Sequence, residues 1–147
     1  MEKVLFPFDI MIIGRFVEEM AMKKILIIAD EINSSEDIRL TLESEKYEVE
    51  VTVEGRDGLT KALDENTNLI FLMLPSLKGI EVCKQIRAES NTPIIMINSQ
   101  DNAIDQIIAL DSGVDYLLPS VFHFEELLAR MRAIIRGIER RNRNDTI

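Results

Sequence analysis

Asn68-Leu-Ile-Phe-Leu-Met-Leu-Pro75 is a short, uninterrupted apolar run closed by proline. It is too short for an ordinary helix, and its ends are marked by turn-forming residues. It therefore reads as a strand buried on both faces and running into a turn, the kind that parallel sheets covered by helices contain. The same pattern recurs outward in both directions. Upstream, Lys24-Ile-Leu-Ile-Ile-Ala29 is a second continuous run rich in β-branched residues, and Tyr47-Glu-Val-Glu-Val-Thr-Val53 alternates with period two. Downstream, Pro93-Ile-Ile-Met-Ile97 places its proline at the first residue, where a strand tolerates one. Val114 to Leu118 makes the fifth strand.

Amphipathic stretches fill the intervals. Asn33, Ser34 and Ser35 are N-cap types, and Ser34 stands three residues before Asp37 as in a capping box. The helix they open carries Ile38, Leu40 and Leu42 among Glu and Arg. Asp57 to Glu65 is predicted as a short helix with Leu59, Ala62 and Leu63 inward. Gly79 to Glu89 is predicted as a helix on Ile80, Val82, Cys83 and Ile86. Ala103 to Leu110 is a fourth helix, ended by Asp111-Ser-Gly113 with Gly113 as its cap. Phe124, Leu127, Leu128, Met131, Ile135 and Ile138 recur at spacings of three and four, the stripe of a long last helix. Five strands alternating with five helices predict an α/β fold. It is a doubly wound, five-stranded parallel sheet of flavodoxin-like order 2-1-3-4-5, with helices on both faces. Sites on such sheets lie outside the carboxyl ends of the strands. That directs attention to Ala29-Asp30-Glu31, Phe71 to Pro75, Asn98-Ser99 and Leu118-Pro119-Ser120.

A chain of 147 residues fits one domain able to bury a core without disulfides or metal. Its 46% hydrophobic and 29% charged residues suit a folded protein rather than a disordered one. The net charge of -9 argues against nucleic acid or anionic membrane as a partner. The single cysteine, Cys83, excludes an internal disulfide, reads as a small packed hydrophobe, and suits the cytoplasm. The longest apolar run, Val4 to Ile13, is broken by Pro7 and Asp9 and falls short of the ~20 residues a membrane span needs. Glu18-Glu19 stands where a signal peptide would end in small residues. Residues 1–22 form an N-terminal extension, 23–141 the domain, and 142–147 a C-terminal linker stub. Arg136, Arg140, Arg141 and Arg143 make a basic cluster that suits a helix C-terminus. No helix-turn-helix pattern is present for reading DNA.

Five strings, in order, resemble the receiver domains of bacterial two-component response regulators, in particular the branch fused to winged-helix DNA-binding domains. They are Lys24-Ile-Leu-Ile-Ile-Ala-Asp-Glu31, Leu72-Met-Leu-Pro75 followed by Gly79-Ile-Glu-Val-Cys83, Thr92-Pro-Ile-Ile-Met96, Gly113-Val-Asp-Tyr116 and Glu126-Leu-Leu-Ala-Arg130. Met22-Lys23-Lys24 also resembles the start of such a domain, which would put residues 1–22 upstream of the true start. The resemblance implies a chemistry of acidic metal ligands, an aspartate nucleophile, a lysine and a hydroxyl. Much of that set is missing here. The acidic pair is reduced to Ala29-Asp30, leaving Asp30 and Glu31 as the candidate metal contacts. Relatives have two more residues where this chain runs from Ile70 to Met73, so the acceptor's position falls to Phe71 or Met73. Asn98, with Ser99 beside it, stands at the hydroxyl position, and Pro119-Ser-Val121 replaces the Lys-Pro pair.

The implied function is a phosphorelay-family signalling module of transcription regulation, a pseudo-receiver that is not itself phosphorylated. It would be no enzyme and would hold no cofactor, Mg²⁺ being the one ion to consider. It would act through protein interaction, as a homodimer built on the fourth helix, fifth strand and fifth helix. The residues matching that face are Asp111, Asp115, Glu126, Arg130, Arg132 and Arg136. The basic residues of relatives are replaced there by Gln106 and Ile108, which makes the face more apolar. A DNA-binding effector domain or a histidine kinase is the other implied partner. Two alternatives stand beside this reading. One is a small-ligand sensor using an apolar pocket of Phe71, Met73 and Pro119, and the other is a conventional phospho-receiver with a different acceptor. An enzyme on this fold is disfavoured, because the sole histidine, His123, has no nucleophile in its motif and no glycine-rich phosphate loop is present.

Overall fold

The computed structural model describes residues 23–31, 35–53, 55–98, 103–119 and 121–145. Asn33, Ser34, Ser99, Ser120 and the extension 1–22 lie outside the described residues. The elements are β1 (Lys24–Ala29), α1 (Glu36–Ser44), β2 (Glu48–Val53), α2 (Gly55–Ala62), β3 (Leu69–Met73), α3 (Ser76–Arg87), β4 (Ile94–Asn98), α4 (Ala103–Ser112), β5 (Tyr116–Pro119) and α5 (Phe124–Asp145). The sheet is parallel throughout, in the order β2-β1-β3-β4-β5. The flavodoxin-like arrangement expected from the alternation is therefore the one observed.

Successive side chains on a strand point to opposite faces, so each central strand feeds two cores. Leu26, Ile28, Ile70, Leu72, Ile94 and Met96 join Ala62, Ile80, Cys83, Ile86 and Ala109 under α2, α3 and α4. Ile25, Ile27, Ala29, Leu69, Phe71 and Ile95 join Ile38, Leu42, Leu127 and Met131 under α1 and α5. The uninterrupted apolar runs are thus explained, because every residue in them is covered by one layer or the other. Cys83 is buried in the first core, as expected of a packed hydrophobe. Burial pushes its thiol pKa up, Arg87 pulling the other way.

Several local expectations need correction. α3 begins at Ser76, three residues before the predicted start, directly behind Pro75. The fixed φ of proline suits a helix entry, and Gly79 N–H closes the first turn onto Pro75 O at 2.8 Å. Of the three apolar residues noted in α1, Ile38 and Leu42 are buried and Leu40 is 53% exposed. α2 spans Gly55–Ala62 and ends before Glu65. α1 has Ser35 at its N-cap, with no side-chain capping bond from that residue. α4 ends as foreseen: Gly113 has φ +116°, a conformation that glycine adopts without strain. Lys46 makes the same kind of left-handed turn after α1, at φ 74°, with a side chain attached.

Candidate functional site

The carboxyl ends of the strands converge on one mouth. In register, Val53, Ala29 and Met73 stand side by side at the ends of β2, β1 and β3. Asn98 and Pro119 are paired at the ends of β4 and β5. This settles which of the two acceptor candidates reaches the mouth. Met73 is the last residue of β3 and is partly buried. Phe71 lies two residues deeper, fully buried in the core under α1 and α5. The apolar pocket predicted from Phe71, Met73 and Pro119 therefore cannot include the Phe71 ring. Asp64 and Glu65, the two acids that precede β3, lie before its amino end, where Asp64 Oδ1 accepts the Asn66 N–H at 2.9 Å.

Among the described residues, the acidic side of the mouth is correspondingly thin. Ala29 is fully buried and contributes a methyl group. Asp30 and Glu31 follow it and are exposed. The Nζ of Lys78, in the first turn of α3, lies 3.7 Å from Asp30 Oδ1. Among the described residues no group of three His, Cys, Asp or Glu side chains converges as a metal site. Mg²⁺ asks for near-octahedral oxygen ligation, normally with carboxylate help. A buried alanine, a thioether-bearing strand end and an ion-paired aspartate do not fit that ion.

The predicted dimer face is only partly assembled. Arg130 stacks over Tyr116, its guanidinium carbon 4.8 Å from the ring centroid. Glu126, one turn earlier on α5, is exposed. Arg132 lies roughly 200° further round the helix than Arg130 and acts electrostatically on Tyr47, on the far side of α5. Asp115 is already engaged inside the chain: its Oδ2 accepts from Arg87 Nη2 at 2.7 Å and from the Ile94 N–H at 2.8 Å. Asp111 borders an open groove with Lys84, Arg87 and Ile108. Arg136 is exposed near the end of the described side chains.

Sequence reasoning noted Ile108 but missed the extent of the apolar surface beside it. Ile104, Ile107, Ile108 and Leu110 are 66%, 58%, 42% and 50% exposed on α4. The signal was available, since Ala103 to Leu110 carries more apolar residues than one buried stripe can use. It also missed Arg87, whose Nε donates to Gly113 O at 3.0 Å and whose Nη1 donates to Ser90 O and Thr92 O.

This sheet order, with its ligand-facing end at the β1–β3 switch point, defines the class: a doubly wound, flavodoxin-like α/β domain. The model of the response regulator receiver domain matches residues 25–132. The chain belongs to that family, the receiver domains of two-component systems. It is 44% identical over 123 residues to a response regulator ArlR of Staphylococcus saprophyticus, covering 82% of this chain and 56% of that protein. It is equally identical over 117 residues to an ArlR of Staphylococcus aureus, covering 78% and 53%. The chain thus spans about half the length of these curated relatives. Among solved structures, a two-component response regulator from Clostridium difficile superposes with TM-score 0.72 at 27% identity, covering 79% of this chain and 98% of that one. The BeF3-activated N-terminal receiver domain of Klebsiella pneumoniae RstA gives TM-score 0.71 at 25% identity, covering 78% and 99%. Among the described residues no helix is long and apolar enough to cross a membrane.

Proposed function

We propose that this receiver domain works without aspartyl phosphorylation, as a non-catalytic interaction module that dimerises through α4, β5 and α5. The observation that carries the reading is the register at the mouth, where Met73 ends β3 beside Ala29. A thioether and a methyl group stand where phosphoryl transfer needs a nucleophile and a metal-binding acid. The dimer half of the proposal rests on α4. Exposed isoleucines at positions 104, 107 and 108 lie on one side of that helix, and Arg130 of α5 stacks on Tyr116 of β5. An apolar face of this kind associates without a charge switch. By analogy with its longer relatives, the domain would steer a DNA-binding effector in the cytoplasm, and a histidine kinase would be a partner by contact rather than by phosphate.

The test is treatment with acetyl phosphate or BeF₃⁻ in the presence of Mg²⁺. Intact mass and size-exclusion chromatography with light scattering are the readouts. The expected result is no phosphoryl adduct and a dimer whose population does not change. A covalent adduct, or a dimer that forms only with BeF₃⁻ and Mg²⁺, refutes the proposal.

A further inference from the structure

We infer that Lys78 is the resident cation of the mouth: its ammonium group pairs with Asp30 in the place of a divalent metal and excludes one. The inference deepens the unphosphorylated reading and rests on it.

Three features put Lys78 there. The link between β3 and α3 is only Leu74 and Pro75, so α3 starts almost on top of the strand end. Gly79 then lets the first turn press onto β4, since a Cβ at that position would sit 2.8 Å from Met96 Cε. Lys78, one residue before that contact, is carried out over the mouth, where its Nζ reaches Asp30 Oδ1 at 3.7 Å.

The electrostatics of α3 give independent support. A helix amino end carries partial positive charge and favours acids in its first turn. The first turn of α3 contains no acid and does contain Lys78. A lysine there is opposed by its own helix and needs an external anion, and Asp30 supplies it. A divalent ion approaching Asp30 would meet both the ammonium and the helix end, with no second carboxylate from Ala29 to compensate. The ion pair links the first turn of α3 to the residue that follows β1.

The experiment is a Mg²⁺ titration of the full chain followed by amide chemical shifts, repeated with Mn²⁺ by paramagnetic broadening. The native chain should show no saturable response at Asp30 or Met73 into roughly tens of millimolar Mg²⁺. Lys78→Asp removes the cation and adds a carboxylate, and should bind Mg²⁺ at least about tenfold more tightly. Lys78→Gln should give a smaller gain and serves if the aspartate variant does not fold. Adding Asp30→Asn to either variant should abolish the gain. Saturable Mg²⁺ binding at Asp30 in the native chain overturns the inference, as does a folded Lys78 variant that binds no better than the native chain. The two readings fail separately, because a phosphoryl adduct refutes the first and metal binding without an adduct refutes only this one.

Discussion

Arg87→Ala tests the part of the structure that sequence showed least. The Arg87 side chain is only 19% exposed, and its guanidinium ties α3 to two loops. It donates to Ser90 O and Thr92 O in the loop entering β4, to Gly113 O after α4, and to Asp115 Oδ2 ahead of β5. Hydrogen bonds to a charged group contribute about 1.5–3 kcal/mol each. Four of them would total about 6–12 kcal/mol if they added, but they share one side chain, and water can replace some at a partly open site. Asp115 also keeps its bond from the Ile94 N–H. The expected loss is therefore about 2–4 kcal/mol, a large fraction of a domain's usual stability. Arg87→Lys keeps the charge but not the fork, and should recover no more than about half. The chain contains no tryptophan, so urea unfolding is best followed by far-ultraviolet circular dichroism. The midpoint should fall by about 1–2 M with an unchanged slope. A loss under about 1 kcal/mol for the alanine variant, or full recovery with lysine, would show that the guanidinium network is not what joins these loops.

Other predictions follow from the same geometry. Gly113→Ala must adopt φ +116° and push its Cβ to within 2.5 Å of Arg87 Cγ, and should lose about 2 kcal/mol or more by urea unfolding. Lys46→Gly relieves a left-handed lysine and should gain about 0.5 kcal/mol, the entropy of glycine offsetting part of the relief. Ile107→Glu should abolish the dimer in light scattering while changing stability by no more than about 0.5 kcal/mol, since the side chain is already exposed. Burial raises the pKa of both the Tyr47 hydroxyl and the Cys83 thiol. The protonated forms are thus favoured in the folded state, so their stabilisation is complete below the ordinary thiol and tyrosine ranges and lost as pH rises through the raised values. Thermal melts should show alkaline destabilisation that Tyr47→Phe reduces; an unchanged profile in that variant would rule Tyr47 out as its source. Lys61, then Lys24, hold the Glu50 carboxyl below its usual range, so Glu50→Gln should lessen the loss of stability on acidification, measured by the same melts.

The sheet was legible because each central strand is apolar throughout apart from Lys24 at the start of β1 and Asn98 at the end of β4, a pattern that burial on both faces requires. The α3 start was not, because Ser76-Leu77-Lys78 shows no inward periodicity: Leu77 is 81% exposed, and the buried pattern begins at Gly79 and Ile80. At the mouth, Ala29 and the lack of any acid from Leu69 to Gly79 were plain in the sequence, but which of Phe71 and Met73 ends β3 beside Ala29 needed the strand register. Lys78 and Arg87 both resemble ordinary surface cations in a helix. Their partners are 48 and 28 residues away in sequence, at Asp30 and Asp115, and only the tertiary fold brings them together.

The two-residue link between β3 and α3 bears on how the site can evolve. A receiver that lost its acceptor by substitution could regain it through a single codon. Here only Leu74 and Pro75 separate β3 from α3, and Gly79 lies close against Met96. Met73→Asp would set a carboxylate among the apolar groups of the α1–α5 core, with Leu74 buried immediately behind it and Gly79 already against Met96. If the domain works without phosphate, as proposed, an added carboxylate at the end of β3 would also need more room than this two-residue link gives. On the reading proposed above, a single substitution at Met73 would not by itself return this mouth to carrying phosphate.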